Sequence, residues 1–288
     1  MRLSRNRGVP TSSSASNVNR NVNLTPARAL PLAFTIILTL VALLGPPAVM
    51  SQNVATNANQ TAAKFSKRIS VTVKSDYLLF LPQSYAAKPS RKWPLIVFLH
   101  GSGERGSDVS IVAKHGPPKV VLNKPEFPFI VVSPQCPEGQ VWSNDVLLAL
   151  LDDICARYKV DKTRIYLTGL SMGGYGSWSL GLEHPERFAA IAPICGGGDP
   201  LRLLLATPAQ TKALRSLGVW AFHGGKDNVV PLAESERMVK SLKDAGCKDL
   251  QLTVYPDAGH DSWTESYANP KLYDWFLSHQ RTGKQTAK

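Results

Sequence analysis

Six short runs of mostly apolar residues punctuate this chain: Pro94 to Leu99 (PLIVFL), Phe129 to Val132, Arg164 to Leu167, Phe188 to Ala192, Val219 to Phe222 and Leu250 to Tyr255. A run that is apolar at successive positions has no face to turn to water. As a strand it must be covered on both sides, the situation of parallel strands buried between helices. The segments between the runs supply such helices. Asp145 to Tyr158 places Val146, Leu147, Leu150, Leu151 and Ile154 on one face. Leu232 to Ala245 opens after Pro231 and stops at Gly246. Tyr273 to His279 forms a last helix with Leu272, Trp275 and Phe276 turned inward. Ahead of all these, Lys67 to Lys74 alternates Ile69, Val71 and Val73, and Asp76 to Leu81 reads as its hairpin partner. The expectation is an α/β fold: a mainly parallel sheet with an N-terminal antiparallel hairpin and helices on both faces. A ligand site then belongs at the carboxyl ends of the parallel strands.

The formal charge of +12 suggests an anionic partner until the charges are located. The first acidic residue is Asp76, and the first 63 residues carry only Arg2, Arg5, Arg7, Arg20 and Arg28. From Lys64 onward there are 28 basic and 21 acidic residues, a net of +7 with no Lys/Arg cluster and no nucleic-acid motif. No nucleic-acid partner is expected.

The basic opening has another reading. An arginine-bearing segment without acids precedes the uncharged stretch Ala29 to Leu44, closed by Gly45-Pro46-Pro47 and followed by the small residues Val49 and Ser51. This is the layout of a secretory signal. Residues 1–51 are therefore expected to be a leader that exports the protein to a periplasmic or extracellular space, 52–66 a flexible lead-in, and 67–288 the main folded domain. An uncleaved anchor is the alternative for the leader. Its apolar stretch is short for a spanning helix of ~20 residues, and Pro31 and Pro46 interrupt it. No stable membrane partner is expected unless the leader is retained. Cys136, Cys155, Cys195 and Cys247 would then sit where disulfides are permitted, with three pairings open. Their spacing matches no zinc pattern, and no metal or organic cofactor is expected.

Chemistry concentrates at Gly169-Leu170-Ser171-Met172-Gly173, a G-x-S-x-G directly after a strand and before a small-residue helix. Such a turn thrusts the serine out at the sheet edge. A serine hydroxyl needs a base to become a nucleophile, and the base needs an acid to orient it. Asp227 follows the strand Val219 to Phe222, and His260 follows the strand Leu250 to Tyr255. The order Ser, Asp, His and the strand-end positions agree with one catalytic set. His100-Gly101-Ser102-Gly103-Glu104-Arg105-Gly106 follows the strand Pro94 to Leu99. It can supply the second of two backbone N–H groups for a developing oxyanion, assigned to Met172 and Ser102 with Gly103 as the competing donor. Trp142 and Trp263 are the aromatic candidates for a substrate wall. His100 and His223 read as structural, and Glu104, Arg105 and Asp108 as loop-stabilising ion-pair partners.

LHGSGERG, DKTRIYLTGLSMGGYGSW, FAAIAPICGGGD, HGGKDNVVP and AGHDSW together resemble the secreted esterases of the α/β-hydrolase superfamily. The branch is the esterase/peptidase group related to feruloyl and acetyl-xylan esterases and to phospholipase/carboxylesterase-like enzymes. The resemblance runs from about Lys67 to the C-terminus. It implies the α/β-hydrolase fold, with the nucleophile at Ser171, the acid at Asp227 and the base at His260. The implied activity is cleavage of carboxylic esters through an acyl-enzyme, on short acyl or polysaccharide-linked esters. A serine peptidase, a lipase or polyester depolymerase, and a non-catalytic binding protein are the alternatives. Only 23 residues lie between Cys195 and Val219, room for one or two short helices and no large cap domain, so an open site is expected.

Overall fold

The computed structural model describes residues 62–281. The leader expected over residues 1–51 and most of the lead-in lie outside the described residues. The chain divides after Lys67, and the architecture below belongs to the unit that starts at Arg68.

Seven strands form one sheet: β1 (Tyr77–Phe80), β2 (Trp93–Leu99), β3 (Ile130–Pro134), β4 (Val160–Leu170), β5 (Ala190–Ile194), β6 (Gly218–Gly224) and β7 (Leu250–Tyr255). Their spatial order is β1-β3-β2-β4-β5-β6-β7. Every pairing is parallel except β1 with β3. The helices are α1 (Gly116–Val120), α2 (Asn144–Arg157), α3 (Met172–Glu183), α4 (Leu201–Leu204), α5 (Pro208–Leu214), α6 (Ala233–Asp244), α7 (Trp263–Ala268) and α8 (Pro270–Ser278).

The burial explains why the strands read as unbroken apolar runs. In β2, Leu95, Val97 and Leu99 face a core shared with Leu147, Leu151 and Ile154 of α2, Trp178 of α3 and Met238 and Leu242 of α6. Their neighbours Ile96 and Phe98 face the opposite core, with Tyr267 of α7 and Leu272, Tyr273 and Phe276 of α8. Two cores on one sheet require apolar residues at both parities. Val146, Leu150 and Trp275, expected to face inward, are only partly buried.

One expectation fails. Lys67 to Lys74 forms no strand, and β1 has no hairpin partner in it. Instead β1 lies antiparallel to β3, pairing Tyr77 with Pro134 and Phe80 with Val131. The reason is packing. Tyr77 and Leu79 rest on one core and Leu78 and Phe80 on the other, whereas Ile69 and Val71 are each 77% exposed and bury almost nothing. Alternation without a surface to cover does not hold a strand. Between β5 and β6 the chain has only α4 and α5, so no large cap lies over the sheet edge among the described residues.

Candidate active site

Ser171 stands between the end of β4 and the start of α3, with φ 53° and ψ −117°. A positive φ is uncommon for a residue with a Cβ, and such strain costs about 1–3 kcal/mol. The turn is held from both sides: the Ser171 N–H donates to the Ile194 carbonyl at 3.0 Å, and the Tyr175 N–H donates to the Ser171 carbonyl at 3.0 Å. The flanking glycines are a steric necessity. A Cβ on Gly173 would collide with the Leu99 carbonyl oxygen, and one on Gly169 with the Gly173 carbonyl. The elbow is therefore wedged against the end of β2.

The loops after β6 and β7 bring the other two predicted residues to this serine. The Ser171 Oγ lies 2.8 Å from His260 Nε2, and His260 Nδ1 lies 2.8 Å from Asp227 Oδ2. An ionised carboxylate can only accept, so Nδ1 carries the proton and Nε2 is left to accept from the serine hydroxyl. Asp227 Oδ1 takes the N–H groups of Val229 and Val230, each at 2.9 Å. Burial pushes the Asp227 carboxyl up. The hydrogen bonds from His260, Val230 and Val229 outweigh it and leave the group below the ordinary carboxylate range. His223 is buried beside it, with Nδ1 2.7 Å from Ser235 Oγ and Nε2 2.9 Å from the Val230 carbonyl. It braces the loop that carries Asp227.

The loop after β2 begins at His100 and passes through a 3-10 turn, Ser102–Glu104. Its carbonyls are tied down. His100 Nδ1 meets the Gly101 carbonyl at 2.7 Å, while its Nε2 accepts the Cys136 N–H at 3.0 Å. This fixes one neutral tautomer, and burial keeps the imidazole below its ordinary value against opposing pulls from the Gly101 bond and Glu104. Gln135 donates to the Glu104 carbonyl at 2.6 Å and Arg105 Nε to the Ser102 carbonyl at 3.0 Å. The N–H groups of Ser102 and Gly103 have no acceptor among the described residues. Met172, first residue of α3, has no intrahelical acceptor either.

Glu104, Arg105 and Asp108 do not pair with one another; Arg105 Nη2 instead lies 3.9 Å from Glu138 Oε1. Glu104 is buried and accepts the Gly101 N–H at 3.1 Å, with its other oxygen 3.7 Å from His115 Nε2. Arg105 turns to the carbonyls of Ser102 and Gln140, and Asp108 caps the Ser110 N–H. A carboxylate that can satisfy a buried backbone N–H gains more there than in an exposed ion pair. Cys136, Cys155, Cys195 and Cys247 are all unbridged; burial pushes the Cys195 thiol up to about 12.

A family model described as "Phospholipase/Carboxylesterase" matches residues 143–271, and one described as "Putative esterase" matches residues 70–201. A solved thermostable esterase superposes with a TM-score of 0.57 at 35% identity, covering 71% of this chain and 59% of that one. The chain has the α/β-hydrolase fold. Among its relatives, a "Putative carboxymethylenebutenolidase" of Methylorubrum extorquens is 29% identical over 59% of this chain. A bifunctional acetylxylan esterase/xylanase of Neocallimastix patriciarum is 28% identical over 44% of the chain. The chain spans 60% of the first relative's length and 17% of the second's.

The two tryptophans attend different members of the serine–histidine pair. Trp142 donates its Nε1–H to the His100 carbonyl at 3.2 Å and packs its ring on that imidazole. With Val141 and Tyr175 it walls a cleft of about 470 Å³ that contains Ser171 and Met172. Trp263 lies edge-on to His260 with ring centroids 5.3 Å apart. Tyr175 is missing from the sequence-derived site, although its place one helical turn after Ser171 puts it on the same face. Glu104 and His115 were legible only as residues near a loop.

Proposed function

We propose that this α/β-hydrolase is a serine esterase that cleaves carboxylic esters through an acyl-enzyme, with Ser171, His260 and Asp227 as its catalytic set. The observation that carries the reading is the pair of 2.8 Å contacts that His260 makes with Ser171 and Asp227. His260 takes the hydroxyl proton as Ser171 attacks the ester carbonyl. Asp227 holds the imidazole tautomer and stabilises the imidazolium. The N–H of Met172 and that of Ser102 or Gly103 receive the oxyanion, each such donor contributing roughly 10²–10³ in rate. His260 then protonates the leaving alcohol, and water repeats the sequence on the acyl group.

Short acyl groups and esters displayed on polysaccharides are the substrates we propose. The short α4–α5 connection leaves the serine approachable, and the acetylxylan esterase relative points the same way. We also propose export, supported by the arginine-bearing segment and apolar stretch before Gly45. A panel of acetyl to dodecanoyl p-nitrophenyl esters and acetylated and feruloylated oligosaccharides tests the reading on wild type and Ser171→Ala. Hydrolysis lost by about 10⁴-fold or more in the variant supports it. Unchanged hydrolysis in Ser171→Ala overturns the catalytic assignment, and rates climbing steadily to dodecanoyl overturn the open-site reading.

A further inference from the structure

Beyond His260 the sheet edge carries a second hollow of about 380 Å³, lined by His115, Lys119, Asn123, Lys124, Trp263 and Thr264 among others. The Trp263 ring separates it from the histidine. Trp263 lies edge-on to His260 and also meets His115, a lining residue, with centroids 5.6 Å apart. The hollow therefore begins one aromatic ring away from the imidazole.

Its position has a chemical meaning under the esterase reading, on which this inference rests. The histidine that hands a proton to the departing oxygen must lie on the leaving alcohol's side of the scissile bond. The cleft walled by Val141, Trp142 and Tyr175 lies with Ser171 and Met172 and fits the acyl side. The hollow past Trp263 falls to the alcohol.

Its charge is one-signed. Lys119 and Lys124 stand at its edge, and neither enters an ion pair among the described residues. No acidic side chain lines it. Of the carboxylates near its lining in sequence, Glu126 accepts from the Ser84 hydroxyl at 2.7 Å, Glu104 accepts the Gly101 N–H and lies 3.7 Å from His115 Nε2, and Asp261 and Glu265 stand outside the lining beside Trp263 and Thr264. An indole wall offers a flat apolar face to a ring, and ammonium groups at the rim offer counter-charge to an anionic substituent. We propose that this hollow is the leaving-group subsite and that it takes a ring bearing a carboxylate, as in an esterified sugar next to or carrying a uronic acid.

The test uses two acetyl esters with nearly matched leaving groups, 4-acetoxybenzoate and its neutral amide 4-acetoxybenzamide. The full chain should hydrolyse the benzoate with the higher kcat/KM. Lys119→Glu and Lys124→Glu, both at exposed positions, should each cut that preference about fivefold, and the double variant should reverse it. Added salt should weaken the preference in wild type. Equal kcat/KM for the two esters, or a preference indifferent to both lysines, overturns the subsite while leaving the esterase reading intact. If neither ester is hydrolysed, the esterase reading fails. The hollow is then judged by binding of 4-hydroxybenzoate against 4-hydroxybenzamide to Ser171→Ala, followed by saturation-transfer NMR. Lysine-dependent selectivity for the anion supports it, and equal binding overturns it.

Discussion

The carboxylate of Glu104 accepts the backbone N–H of Gly101 at 3.1 Å, closing the first turn of the loop that faces Ser171. Without that acceptor, a buried N–H is left unpaired at a cost of about 1–3 kcal/mol. The turn that aims the Ser102 and Gly103 N–H groups then loses its clamp. Glu104→Ala should lower kcat for p-nitrophenyl acetate about tenfold with little change in KM. Glu104→Gln keeps an acceptor and should retain most of the activity. Steady-state kinetics on the two variants checks this, and equal losses in both would count against the clamp.

Asp227 supports two further expectations. Asp227→Asn replaces an acceptor pair by an amide that can impose the wrong His260 tautomer, and kcat should fall by roughly 10³–10⁴. The same variant has a signature in stability. Because the folded protein holds the Asp227 carboxyl below its ordinary value, its contribution is present above the unfolded value and is lost as pH falls through the folded one. Wild type should therefore exceed Asp227→Asn in Tm at pH 7, with the gap closing on acidification below pH 4. Thermal melts between pH 7 and pH 3 measure it; a gap that widens toward acid contradicts the assignment.

How far the sequence carries to this site depends on the kind of residue. Ser171, Asp227 and His260 were legible because each lies within five residues of the end of an apolar run, and a parallel sheet gathers the ends of such runs at one edge. The strand β7 was legible to the residue for the same reason. The hairpin expected from Ile69, Val71 and Val73 was misread, since alternation reports a periodicity and not the surface that would bury it. Glu104 was read as an ion-pair residue of the loop, because sequence does not show that its side chain turns inward to the Gly101 N–H while Arg105 turns outward to Glu138. His115 and the lysines of the second hollow lie on turns and the short helix α1, where no periodicity marks them.

The cysteines give a simple chemical check. All four are unbridged, and burial pushes the thiols of Cys136, Cys155, Cys195 and Cys247 up. Protein purified without reductant should titrate four thiols with Ellman's reagent after denaturation, and the native protein should react slowly. Two missing thiols would signal a bridge.

Trp142 is the wall that should set acyl preference. Removing its ring opens the cleft beside Ser171 and releases the His100 carbonyl from its 3.2 Å bond. Trp142→Ala should raise KM for aryl esters such as p-nitrophenyl benzoate about fivefold or more, and less for the acetate. Equal shifts for both would assign Trp142 to loop support alone.

The proposed activation of Ser171 by His260 has a direct chemical consequence. Incubation with a fluorophosphonate, followed by peptide mass spectrometry, tests it most directly. One adduct per chain is expected, on the peptide bearing Ser171, forming far more slowly in His260→Ala and absent in Ser171→Ala. An adduct on another residue, or undiminished labelling of Ser171→Ala, would contradict it.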